Sequence, residues 1–282
     1  MPIELKNVSF TYEPGLPDAV KAVDDVTLTI RKGEFAAIIG HTGSGKSTLV
    51  QFFDGLLTPT EGTVLFDGQD ISAKDFSLKM LRGKVGLVFQ YPEYQLFEAE
   101  VLKDVCYGPK NLGKSKEEQE EAAKRALTLV GIPEEYYDKS PFELSGGEKR
   151  RVAIAGILAM DPEYMVLDEP TAGLDPEGRD EILDLCRSLA HDRGIGIVLV
   201  SHSMDDVAEY AERTIVLDHG KVVYDDETRK VFMHWEKLEE MGLSAPEILY
   251  IVKMLREKGI DIPQDIMSVD EARDELLKVL KK

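Results

Sequence analysis

The alternation of polar and apolar positions divides the chain into three regimes. Near the start, Ile3, Leu5, Val8, Phe10 and Tyr12 follow a two-residue period with a register shift near Asn7, and Val26, Leu28 and Ile30 repeat it before an Arg31-Lys32-Gly33 turn. Residues 62–68 add a strand that ends in an Asp67-Gly68 turn. Half-buried strands of this kind predict an antiparallel arm. A second class of strand is apolar without alternation: residues 35–39, 85–89, 164–167, 196–200 and 214–217. With helices predicted over 177–190 and 204–210, these strands imply a parallel sheet covered on both faces. The third regime is helical. Over 98–141, Ser115 and Glu118 form a capping-box pattern ahead of an Ala122, Ala123, Ala126, Leu127, Val130 stripe that Gly131 stops. Beyond Asp225 three more helices are predicted. Thr228 caps one bearing Val231, Phe232, Trp235, Leu238 and Met241; Ser244 with Glu247 caps the next; Ser268 with Glu271 caps the last. The expected organisation is an α/β domain over 1–225, with a helical subdomain at about 98–160, and a helical appendage over 226–282.

One strand carries chemistry with it. Residues 35–39 run into Gly40-His41-Thr42-Gly43-Ser44-Gly45-Lys46-Ser47-Thr48, which fits G-x-x-x-x-G-K-[ST] at every fixed position. Leu49 to Phe53 leave room for a helix to begin. The glycines let successive backbone N–H groups turn inward on phosphate oxygens. Lys46 places a charge at the β/γ-phosphates, and Ser47 offers a hydroxyl to Mg²⁺. A nucleoside triphosphate is the expected ligand.

Composition narrows the setting. With 34 Lys+Arg against 53 Asp+Glu the net charge is −19, which argues against direct binding to nucleic acid or anionic lipid. The longest apolar run, residues 152–160, is about half of a membrane span, and the opening residues read as a strand, not a secretory signal. Cys106 and Cys186 have no metal-site spacing and are expected as small buried hydrophobes in a reducing compartment. The five His are scattered, so a His-based metal site has no support in the sequence.

A phosphate loop alone does not distinguish kinases from transport motors. Tyr164-Met-Val-Leu-Asp168-Glu169 delivers two carboxylates to a strand end, where open α/β sheets bind ligands. Asp168 would orient Mg²⁺, and Glu169 would polarise the attacking water as general base. Leu144-Ser145-Gly146-Gly147-Glu148 opens a further helix with exposed amides and a hydroxyl, a second anion grip. It makes sense when it closes on a nucleotide held by another subunit. With these residues in place the chain resembles the ATP-binding cassette (ABC) family from about Ile3 to Asp225. The resemblance implies a P-loop ABC nucleotide-binding domain with ATP and Mg²⁺ as ligands. It makes Gln90 the sensor of Mg²⁺ and the attacking water, and His202 the switch histidine at the γ-phosphate. Gly173-Leu174-Asp175 becomes the loop that crosses to the partner, and Tyr12 the aromatic stacked on adenine.

A narrower resemblance follows from Phe89-Gln-Tyr-Pro-Glu-Tyr-Gln-Leu-Phe97 and Val105-Cys-Tyr-Gly-Pro109-Lys-Asn-Leu-Gly113. These are similar to the ATPases of energy-coupling factor (ECF) importers, which take up vitamins or cobalt and nickel ions. That likeness implies a transmembrane coupling subunit docked near Tyr91 to Phe97, a membrane substrate-binding subunit reached indirectly, and a place on the cytoplasmic face of the membrane. It also implies pairing of ATPases through the C-terminal extension. Gly40 to Gly45 resembles the second of two paralogous ATPases, which favours a heterodimer over a homodimer. The competing readings are another ABC importer, a soluble cassette ATPase acting on DNA or ribosomes, and a small-molecule kinase. Long heptad helices and a second cassette are missing for the soluble ATPase, and a kinase leaves residues 144–148 unexplained.

Overall fold

The computed structural model describes residues 2–280. The first half runs β1 (Ile3–Tyr12), β2 (Val20–Ile30), β3 (Phe35–Ile39), α1 (Lys46–Val50), β4 (Glu61–Phe66), β5 (Gln69–Asp70), α2 (Leu78–Lys84), β6 (Val85–Val88), α3 (Val101–Leu112), α4 (Lys116–Leu129) and α5 (Gly146–Leu158). The second half runs β7 (Tyr164–Asp168), α6 (Pro176–Arg193), β8 (Gly196–Val200), α7 (Met204–Tyr210), β9 (Arg213–Asp218) and β10 (Lys221–Glu227). It ends with α8 (Thr228–Phe232), α9 (Trp235–Glu240), α10 (Glu247–Glu257) and α11 (Val269–Leu280).

Two sheets result. The arm is antiparallel in the order β2-β1-β4-β5, and its β1 register shifts between Leu5 and Val8, where Asn7 takes a left-handed φ of 51°. The larger sheet has the order β10-β9-β3-β8-β7-β6, parallel from β9 to β6. It is not wholly parallel: β10 adds an antiparallel edge strand that apolar periodicity does not reveal, because its residues are mostly exposed. A two-residue turn, His219-Gly220, joins β9 to β10 with both φ positive, at 45° and 80°, which suits the twist of a tight hairpin.

The pleat of β3 divides the core. Ala36 and Ile38 pack with arm residues such as Ile3, Leu5, Leu28 and Ile30, whereas Phe35, Ala37 and Ile39 share a cluster with the helices on the other face. The phosphate-loop strand is thus clamped from both sides. The helix after the loop begins earlier and is shorter than expected, ending at Val50; Phe52 and Phe53 are buried in turns.

The Ser115–Glu118 capping box forms, with the Ser115 hydroxyl accepting from Glu118 N. In the tail, Ser268 Oγ accepts from Glu271 N at 3.1 Å, as expected. Two other caps do not form. The Thr228 hydroxyl instead donates to Ala211 O at 2.6 Å and contacts Thr214 Oγ1 at 2.9 Å. The predicted helix from Thr228 splits into α8 and α9 at Met233-His234. Ser244 leaves the start of α10 to Pro246, and the Glu247 N–H donates to Asp205 at 2.9 Å, a cap supplied from α7. Val231, Phe232, Leu238 and Leu249 join the main helical-side core, while Ile248, Val252, Ile262, Ile266 and Ala272 form a small cluster of their own.

Candidate active site

The site lies at the C-terminal ends of β3, β7 and β8. After Ile39 the chain has no room for a side chain at two positions: a Cβ on Gly40 would lie 2.4 Å from Leu217 O, and one on Gly45 would lie 2.2 Å from Ala22 O. Gly45 also takes φ 103°, a conformation L side chains rarely adopt. This leads directly into α1, whose first N–H groups have no acceptor within the helix. Lys46 Nζ donates to Gly40 O at 2.6 Å and His41 O at 3.1 Å, which holds the ammonium over the loop. Burial pushes its pKa down, and the Glu169 and Asp168 carboxylates oppose that shift.

Asp168 ends β7 directly opposite Val200 of β8. Burial raises the pKa of its carboxyl, against a hydrogen bond from the Ser47 hydroxyl and the nearby charges of Lys46 and His202. Glu169 follows in a left-handed conformation, φ 52°, fixed by its N–H donating to Val200 O at 3.0 Å. A non-glycine residue in this region costs on the order of 1–3 kcal/mol and persists only when its surroundings hold it. His202, two residues beyond β8, contacts Glu169 Oε1 through Nε2 at 2.9 Å. The resemblance gives His202 to the γ-phosphate; here its ring lies against the Glu169 carboxylate. Gln90 is exposed two residues past β6, at the same sheet edge, since Val88 pairs with Leu167.

Tyr12 is exposed at the end of β1, its hydroxyl 3.1 Å from Thr48 Oγ1 and its ring edge-on to Phe10. Phe10 packs inward on Phe52, so the two rings divide the core and surface roles. Ser145 caps α5 in a capping box with Glu148: its Oγ accepts from Glu148 N, and hydrogen bonds from the Ser145 side chain and backbone lower the pKa of the Glu148 carboxyl. A Cβ on Gly146 or Gly147 would meet nothing within 4 Å. Packing within the chain therefore does not call for glycine at either position.

Sequence reasoning missed Arg150. It stands between Lys149 and Arg151 in a basic run, yet it is 2% exposed. Its guanidinium donates to both Glu93 carboxylate oxygens, at 3.1 and 2.9 Å, and to Pro170 O and Ala172 O at 2.8 and 2.9 Å. One side chain thus ties α5 to the segment after Gln90 and to the loop after Glu169. The available signal was helical phase, because Arg150, Ile154 and Leu158 are buried four residues apart. The segment after Gln90 is itself divided. Pro92 and Leu96 are buried, Leu96 at 7% exposure, so they belong to the core; Tyr94 at 84% and Phe97 at 57% face outward.

These features match known proteins. A profile described as ABC transporter matches residues 23–172. The energy-coupling factor transporter ATP-binding protein EcfA2 of Clostridium tetani is 52% identical over 99% of this chain and 97% of its own length. Its counterpart from Symbiobacterium thermophilum is also 52% identical, over 96% and 94%. Among solved structures, cbiO1 from Clostridium perfringens, part of the ABC transporter complex cbiONQ, superposes with a TM-score of 0.75 and 37% identity over 89% of this chain and 98% of that one. The dimeric cassette MJ0796, in a post-hydrolysis state bound to ADP and Pi, gives a TM-score of 0.71 and 34% identity over 80% and 98%.

Proposed function

This chain belongs to the ABC transporter family, and from that premise we propose that it is the ATP-hydrolysing subunit of an energy-coupling factor importer. The observation that carries the chemistry is the convergence of Lys46, Ser47, Asp168, Glu169 and His202 at one sheet edge. The loop that a Cβ would fill at Gly40 and Gly45 cradles the phosphates, and Lys46 exchanges its two carbonyl partners for β/γ oxygens. Ser47, Asp168 and the Gln90 amide oxygen are hard oxygen donors that fit Mg²⁺. Held there, such an ion would supply positive charge to offset that of the phosphates. Glu169 takes the proton of the attacking water as general base, and His202 holds the carboxylate in place. Tyr12, beside Thr48, offers its exposed ring to the base.

The open faces of Gly146 and Gly147 suit a nucleotide bound by a second ATPase subunit, so each site is completed in a dimer, with a paralogue as the preferred partner. Among the described residues no helix is long and apolar enough to cross a membrane. Attachment to the cytoplasmic face therefore runs through a transmembrane partner, and Tyr94 and Phe97 supply exposed rings next to Gln90 for a helix of that partner to cover. Phe97→Asp should leave ATP affinity intact while abolishing copurification with the membrane subunit and substrate uptake. Unchanged copurification and uptake would place docking elsewhere. Leu96→Asp is not a usable probe, because it puts a charge into the core.

A further inference from the structure

The fold brings together three side chains that the ATPase mechanism does not use as a group. His41, inside the phosphate loop, and Asp218 and His219, at the β9–β10 turn, have ligand atoms that all lie within 4.8 Å of one another. His41 Nδ1 is 2.8 Å from Thr42 O. A carbonyl can only accept, so Nδ1 carries the proton and the neutral ring keeps its lone pair on Nε2. That Nε2 is buried without a hydrogen-bond partner, yet it lies 3.2 Å from Asp218 Oδ1. A lone pair held that close to a carboxylate oxygen is relieved by a second proton or by a metal ion between them, and the pair's lack of hydrogen-bond geometry suits the metal ion. Bonds of about 2.0–2.2 Å to both atoms would span a 3.2 Å edge with an angle of roughly 100° at the ion, close to tetrahedral. The ion then sits off the line joining the two atoms, as the missing hydrogen-bond geometry requires. The Nδ1–H···O=C bond is the outer contact that ordinarily orients a ligating histidine. His219 Nε2, 3.9 Å from Asp218 Oδ1, is the third donor, and its ring is 84% exposed, so it can close the remaining distance unobstructed.

We propose that His41, Asp218 and His219 bind a divalent transition-metal ion of the Zn²⁺, Co²⁺ or Ni²⁺ class, clamping the phosphate loop to the β9–β10 turn. Two imidazoles and one carboxylate select such ions over Mg²⁺ or Ca²⁺, which prefer oxygen donors. The turn and the loop are already joined by Gly220 N donating to Ser44 O at 2.9 Å, so the ion reinforces an existing junction. His41 O is also one of the two acceptors that hold Lys46, which places the clamp next to the phosphates. The site is independent of the transport reading.

The test uses zinc chloride alone, in excess Mg²⁺, on the full chain and on two variants, Asp218→Asn and His219→Asn. Asparagine tolerates the left-handed backbone at position 219, so that variant keeps the turn. Calorimetry should show one Zn²⁺ per wild-type chain, weakened at least ~10-fold in each variant, the scale lost even when only a ligand's hydrogen-bond partner is removed. Co²⁺ loading should give the intense visible bands of a tetrahedral site in the wild type and not in the variants. Wild-type protein that takes up no Zn²⁺ at micromolar free metal would overturn the proposal. Equal affinity in the wild type and both variants would overturn it as well.

Discussion

Glu169 concentrates the site's chemistry in one residue. Its left-handed backbone ends β7 abruptly, a bond to Val200 O pins it, and His202 meets its carboxylate at 2.9 Å. A carboxylate fixed this way is positioned as a base without reorganisation. Glu169→Gln keeps shape and burial but removes basicity. Turnover should fall by about 10²–10⁴-fold while ATP binding survives, as single-turnover hydrolysis and equilibrium nucleotide binding would show. Full turnover in that variant would remove Glu169 from the reaction. Gly40 and Gly45 are fixed for a different reason: their own chain fills the space a side chain would need.

Among the elements, α5 links the rest. Its N-terminus presents Ser145, and one turn later Arg150 enters the interior between Glu93 and the carbonyls of Pro170 and Ala172. Those partners lie in the segment after Gln90 and the loop after Glu169, so one guanidinium joins both to the helix. Arg150→Met fills much of the volume but leaves a partly buried carboxylate and two carbonyls without the guanidinium. Urea denaturation should show a loss of about 3–5 kcal/mol, the usual cost of breaking a buried ion pair from one side. Arg150→Lys should recover only part of it, because an ammonium cannot match the planar fork. A loss under about 1 kcal/mol in the methionine variant would mean that water replaces these contacts, as it does for exposed pairs.

For the molecule as a whole, the question is where the second anion grip finds its anion. Ser145 sits at the N-cap of α5, and the glycines after it face open space. In the proposed assembly that anion is a partner's nucleotide. ATP should therefore drive Glu169→Gln protein, mixed with its partner ATPase, to a dimer measurable by light scattering. Ser145→Arg should block closure and hydrolysis without abolishing ATP binding to the single chain. Full-rate hydrolysis by a protein that stays monomeric would contradict the shared site.

The phosphate loop, the paired carboxylates, the helix that opens at Ser145 and most strands and helices are legible in the sequence. Each is local: a few consecutive residues set the backbone, the hydrogen bonds and the chemistry together. Ser115 and Ser268 capped as expected because their partners lie three residues away. Thr228 and Ser244 did not, because Ala211 and Asp205, distant in sequence, offered or supplied competing hydrogen bonds. Edge strand β10 was hidden because its pairing with β9, not an apolar face, makes it a strand. Tertiary structure alone decided which of the residues after Gln90 are core and which are surface, and that Arg150 is interior. It alone set a histidine of the phosphate loop beside the His219 turn, since parallel β3 and β9 end side by side whatever their separation along the chain.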